Sequence, residues 1–240
     1  MAIQSTDLRT TVFKMGSFRG ATPTAPGPTL RTSAGKAFND EENEHFIVNN
    51  GLVRYIVNAG PTPGVRVIDF APTTGADDCF YLPYRDNNIT SVRLSGTPDR
   101  FFTDNLSGCT VFIDRATNGD LIVFHANRQG LSYKPQTAET IADVTFEREV
   151  AIAVKKQIHD DAVASQYNGA TPVGSLFKKR YNRGAAGYNN AQAFIGSSER
   201  FGGGTTVVGF KAGGAWQFWY QTWNQDSHAC RVIGCEQFYP

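Results

Sequence analysis

One thiol and one imidazole in this 240-residue chain stand at a spacing suited to nucleophilic chemistry. They are Cys109 and His125, sixteen positions apart. Between them run Thr110-Val111-Phe112-Ile113, then Asn118-Gly119, then Leu121-Ile122-Val123-Phe124. The two apolar runs are β-branched and aromatic, so they favour strands. Asn and Gly tolerate positive φ, so the pair between the runs marks a hairpin turn. A fold near Thr117 and Asn118 predicts that position 125 comes beside positions 109 and 110. Such a pair can act as nucleophile and base on an acyl carbon. Gly108 leaves room for a substrate carbonyl beside Cys109, and N–H groups in a tight turn at Ser107, Gly108 and Cys109 can converge on an oxyanion. A plainer alternative stands beside this one. A Cys next to a strand is commonly a small buried hydrophobe, and a lone His a satisfied core residue.

The run Leu106-Ser107-Gly108-Cys109, followed by a strand, a turn and a His, resembles the cytotoxic necrotizing factor and Burkholderia lethal factor family of glutamine deamidase toxins. Their active sites pair a Cys in an LSGC run with a His on the following strand. The lethal-factor branch adds a Thr six residues before the Cys, the offset of Thr103 here. The resemblance, carried by residues 103–125, implies that Cys109 attacks a glutamine carboxamide and that His125 moves the protons. Thr103 would orient the imidazole through its hydroxyl or its carbonyl, as the third member of a triad does. Ser107 and Gly108 would border the oxyanion and the substrate approach, with no cofactor and no metal required. It further implies a host-protein substrate, a Rho-type GTPase in one branch and a translation-initiation helicase in the other. The protein would then be a bacterial toxin or effector acting in the host cytosol. A cysteine peptidase or a transglutaminase would use the same attack. A β-rich binding module with an inert Cys109 is the alternative from another class.

The elements that must position these residues are strands. Hydrophobic residues make up 40% of the chain and aromatic residues 12%, which is ordinary globular composition. With 23 basic and 22 acidic residues the formal charge is +1, which argues against a nucleic-acid partner. No apolar run approaches the roughly 20 residues of a membrane span. The first residues lack the basic start and apolar core of a cleaved leader, so export would take another route. Cys79, Cys109, Cys230 and Cys235 are too few for a disulfide framework, although Cys230 could pair with Cys235 or Cys79. The spacing of His228, Cys230 and Cys235 fits no zinc module.

Residues 1–40, with prolines clustered at 23, 26 and 28, predict an extended Pro/Gly/Thr-rich arm. Residues 41–240 then form one deamidase-like catalytic domain, expected to be a monomer. Short apolar runs from Phe46 to Leu94, broken by Asn-Gly and Pro-Gly pairs, predict a sheet. Residues 139–164 carry apolar positions at helical intervals and predict the main helix, with His159 near its end. Lys178-Lys179-Arg180 predicts a solvated strand edge, residues 129–135 and 181–204 predict long loops, and Gly213-Gly214 centres a second hairpin. His45 has no visible partner. The fold class expected is α+β: a strand-rich mixed sheet or sandwich with one main helix and short helices, in a single domain.

Overall fold

A computed structural model describes residues 3–18, 26–31, 44–48, 52–72, 78–84, 89–106, 109–126, 169–177, 180–181, 202–225 and 229–240. Among them are fourteen strands: β1 Val12–Phe18, β2 Pro26–Arg31, β3 Glu44–Val48, β4 Leu52–Ala59, β5 Val65–Pro72, β6 Asp78–Leu82, β7 Ile89–Leu94, β8 Arg100–Thr103, β9 Thr110–Arg115, β10 Leu121–Ala126, β11 Thr171–Leu176, β12 Gly202–Ala212, β13 Ala215–Gln225 and β14 Cys230–Tyr239. A 3-10 turn, Asp7–Arg9, precedes them.

The strands form two mixed sheets. The larger has the order β1-β5-β4-β6-β8-β12-β13-β14 and the smaller β11-β9-β10-β7-β3-β2. Their facing sides share one core. Leu82, Phe101, Val207 and Phe218 of the larger sheet pack with Val92, Val111, Ile113 and Val123 of the smaller. A second core covers the other side of the larger sheet, where Phe70, Cys79, Tyr81, Phe102 and Val208 meet Ile3, Leu8 and Phe13.

The expected α+β class is corrected by this architecture. No helix of seven or more residues occurs among the described residues, and the class is all-β within them. The physical reason lies in the runs themselves. They are short, β-branched and aromatic, and each sheet's inner face is buried by the other sheet, so no helix is needed to cover it. The helix predicted over residues 139–164, His159 included, lies outside the described residues. So do the loop at 129–135 and residues 182–201 of the second loop.

Part of the predicted N-terminal arm also needs correction. Residues 3–18 belong to the body of the protein, with Leu8 fully buried and Val12 1% exposed. Strand β1 runs parallel to β5, pairing Val12 with Val65 and Met15 with Ile68. Proline density further along the chain says nothing about this earlier apolar stretch. Of the strand edge predicted at Lys178-Lys179-Arg180, Lys178 and Lys179 lie outside the described residues, and Arg180 is in a helical turn with its side chain paired to Glu236 at 3.4 Å. The second hairpin forms as expected, with Ala212 opposite Ala215 and both turn glycines at positive φ. None of the four cysteines is in a disulfide. Cys230 and Cys235 lie on one strand, and five residues of extended chain hold them too far apart to bridge.

Candidate active site

The hairpin of β9 and β10 positions the sulfur and the imidazole. Its loop is centred on Asn118, and Gly119 takes the left-handed conformation at φ 91° that a three-residue hairpin loop requires. Arg115 pairs with Leu121, so His125 lies opposite Val111 and Ala126 opposite Thr110. The register therefore differs from the expected one, which put position 125 beside 109 and 110. Directly opposed residues share a face. Cys109, one residue before β9, packs in the same inner core as Val111, the residue opposite His125. Cys109 and His125 are both buried, at 3% and 1% exposure.

The third residue comes from the opposite sheet. Thr103 ends β8, and β8 runs parallel to β6 with Thr103 beside Leu82. Its hydroxyl lies 2.7 Å from His125 Nδ1 and 2.8 Å from the Leu82 carbonyl oxygen. The hydroxyl has one proton, and a carbonyl oxygen can only accept. The proton therefore goes to Leu82, and His125 Nδ1–H donates to Thr103 Oγ1. This relay fixes the tautomer and leaves the lone pair on Nε2, the nitrogen a general base needs. Nε2 is buried and has no hydrogen-bond partner. Burial alone lowers the His125 pKa from 6.5 to about 3, so the ring is neutral in the resting protein.

Both ends of the segment carrying Cys109 are pinned. Leu106 forms an isolated bridge with Thr205, its N–H donating to the Thr205 carbonyl at 2.7 Å. Beyond it, the buried Tyr181 hydroxyl donates to the Cys109 carbonyl at 3.0 Å. Tyr181 is held in turn where the Thr222 hydroxyl donates to its carbonyl at 3.1 Å. Ser107 and Gly108, expected to border the oxyanion, lie outside the described residues.

Of the predicted site residues, Thr103 and His125 are in contact in the seam between the sheets, and Cys109 packs in the same inner core through Val111. His45 is on β3 with its backbone opposite Leu30. Burial pushes the Cys79 thiol well above its usual range, with Asp78 adding to it, and Cys79 lies in the second core, away from the seam. Among the described residues, no group of three or more His, Cys, Asp or Glu side chains could hold a metal ion.

Three participants carry no local signal in the sequence. One is the Leu82 carbonyl. Another is Tyr84, whose ring meets His125 edge-on at 5.7 Å. The last is Asp104, which accepts from Tyr81 Oη and, at 2.6 Å, from the Tyr84 N–H.

The class so defined is a two-sheet β protein with a threonine-anchored, half-satisfied histidine and a cysteine in the core between the sheets. The sequence matches no protein-family model, and no curated protein matches it.

Proposed function

We propose that the protein is a glutamine deamidase that hydrolyses the side-chain amide of a glutamine in a protein substrate. The observation that carries the proposal is the relay from His125 Nδ1 through Thr103 to Leu82, which leaves Nε2 without a partner, while Cys109 packs with Val111, the residue opposite His125. In the reaction Nε2 takes the Cys109 proton as the sulfur attacks the carboxamide carbon. The imidazolium then protonates the departing nitrogen, which leaves as ammonia with formation of a thioester. Water enters, gives one proton to Nε2, and its hydroxyl attacks the thioester carbon. The carboxylic acid leaves and the thiolate regains its proton. The net change is amide plus water to acid plus ammonia. The low His125 pKa makes a resting thiolate–imidazolium pair unfavourable, so proton transfer accompanies attack. By the resemblance, the protein acts as a toxin or effector on a host GTPase or a translation-initiation helicase.

One observation favours a second reading, a binding module in which Cys109 only packs. Cys109 belongs to the apolar core with Leu106, Val111 and Tyr181. Incubation with free glutamine, a glutamine peptide and folded candidate targets separates the two. Ammonia release with Gln-to-Glu conversion in a folded target, abolished by Cys109→Ser, supports the deamidase. Release from free glutamine alone removes the protein substrate. No release from any of them, with Cys109 labelling unaffected by His125→Ala, leaves the binding module.

A further inference from the structure

His125 and Cys109 are buried, yet a reaction at them needs a way in. One exposed side chain, Tyr84, packs directly on His125. It is 42% exposed, the one exposed large hydrophobic side chain among the described residues, and its ring packs against the His125 ring at 5.7 Å with the planes at 62°. The backbone beneath it is held at three consecutive residues. Thr103 donates to the Leu82 carbonyl at 2.8 Å, Thr90 donates to the Pro83 carbonyl at 2.6 Å, and the Tyr84 N–H donates to Asp104 at 2.6 Å. Thr90 pairs with His125 across β7 and β10, and Thr103 bonds its ring, so the segment is tied to the histidine from both sheets. A fixed backbone carrying a partly exposed ring leaves rotation about the side-chain bonds as the available movement, and exposed rotamers change within nanoseconds.

We propose that Tyr84 is the gate and a specificity-determining residue of this site: its ring swings aside to admit a glutamine side chain, whose methylene stem then packs on the phenol face. The inference rests on Cys109 and His125 being the reactive pair. A flat aromatic face beside a buried polar end suits a substrate group that is apolar along its stem and polar only at its tip. Asp104 acts on Tyr84 as a positioning residue through the backbone N–H.

The test compares wild type with Tyr84→Ala, Tyr84→Leu and Tyr84→Phe. The probes are iodoacetamide for Cys109 and diethyl pyrocarbonate for His125, with labelled sites read by mass spectrometry. Tyr84→Ala should raise both labelling rates by about tenfold, and Tyr84→Phe should stay within about twofold of wild type, because access governs the reactivity of a buried thiol. Tyr84→Leu, intermediate in bulk, should fall between them and serves if the alanine variant does not fold. Equal rates in all folded variants overturn the gate. On a deamidated target, Tyr84→Ala should raise KM several-fold more than it lowers kcat, and a pure kcat loss overturns the specificity role. Faster labelling with no ammonia from any substrate keeps the gate and sinks the deamidase.

Discussion

Two buried polar networks lie on opposite faces of the larger sheet, and they are completed differently. On the outer face Gln221 is fully buried and every polar position of its amide is used. Its oxygen accepts from the Phe13 N–H at 2.8 Å, and its nitrogen donates to the carbonyls of Leu8 and, at 2.7 Å, Thr11. Thr206 adds a bond to the Phe13 carbonyl at 2.7 Å. On the inner face the relay from His125 to Leu82 is just as buried, but it stops one atom short at Nε2. Burial and polarity alone do not separate the two sites. Completion does. The closed network fastens the N-terminal segment to the sheet, whereas on the proposed reading the open one keeps a base for an atom that arrives later.

The largest expected effect breaks the open network and spares the closed one. Cys109→Ser should retain the fold and lower turnover by up to roughly 10⁶-fold, the scale of losing a nucleophile that acts as a unit with its base. Melting temperature and turnover on a deamidated target check it together. Wild-type turnover in this variant would end the assignment of Cys109, and replacing Cys79, Cys230 or Cys235 should change turnover little.

Next comes the free energy held by a neutral buried imidazole. His125 titrates near 6.5 when unfolded and near 3 when folded, so the unfolded chain binds the extra proton between those values. Stability contributed this way is present above pH 6.5 and is lost as pH falls toward 3. The full loss is on the order of 5 kcal/mol, at about 1.4 kcal/mol per pH unit. Denaturant unfolding of wild type and His125→Leu across this range should show the wild type losing stability relative to the variant as the pH drops. Parallel curves would mean that the ring is hydrated. For the same reason kcat/KM should show no acid limb near pH 6.5.

A smaller effect probes the closed network. Gln221→Leu leaves the Phe13 N–H and two carbonyls without their partner, at a cost of about 2–4 kcal/mol for several unmade buried bonds. Turnover per folded molecule should be unchanged, because the amide lies on the far side of the sheet from His125. Chemical denaturation with active-site titration distinguishes the two quantities. A turnover loss beyond the unfolded fraction would join the two networks and dissolve the contrast.

How much of this was legible follows the range over which each interaction acts. The hairpin was readable because Asn118-Gly119 and its flanking β-branched runs are local signals, although the register was not, since the loop takes three residues instead of two. The offset in the resemblance picks out Thr103 but leaves its hydroxyl and its carbonyl both open. The hydroxyl makes the contact, which depends on Leu82 lying beside it through a parallel pairing twenty-one residues away. No local pattern encodes such a pairing, and Tyr84 and Asp104 were missed for the same reason. The N-terminal part of the outer core is masked in the sequence by Pro23, Pro26 and Pro28, which suggest an arm over the whole stretch 1–40, while Ile3, Leu8 and Phe13 precede them.

The smallest effect sharpens the open network at its link between the sheets. Thr103→Val keeps the shape and removes the hydroxyl, so His125 Nδ1–H loses its acceptor while Leu82 keeps the Asp104 N–H at 3.3 Å. The ring is then free to carry its proton on either nitrogen, and the fraction with a bare Nε2 falls. Turnover should drop by about 10–100-fold, the usual cost of removing a partner that orients a functional histidine. Thr103→Ser, which keeps the oxygen and its proton, should restore most of it. Imidazole nitrogen shifts in a ¹⁵N-histidine sample give a readout that needs no substrate. Wild type and Thr103→Ser should show the Nδ1–H form, and Thr103→Val a mixture. If the valine variant keeps one tautomer and full turnover, the hydroxyl merely fills the seam between the sheets, and the bare nitrogen owes its state to burial alone.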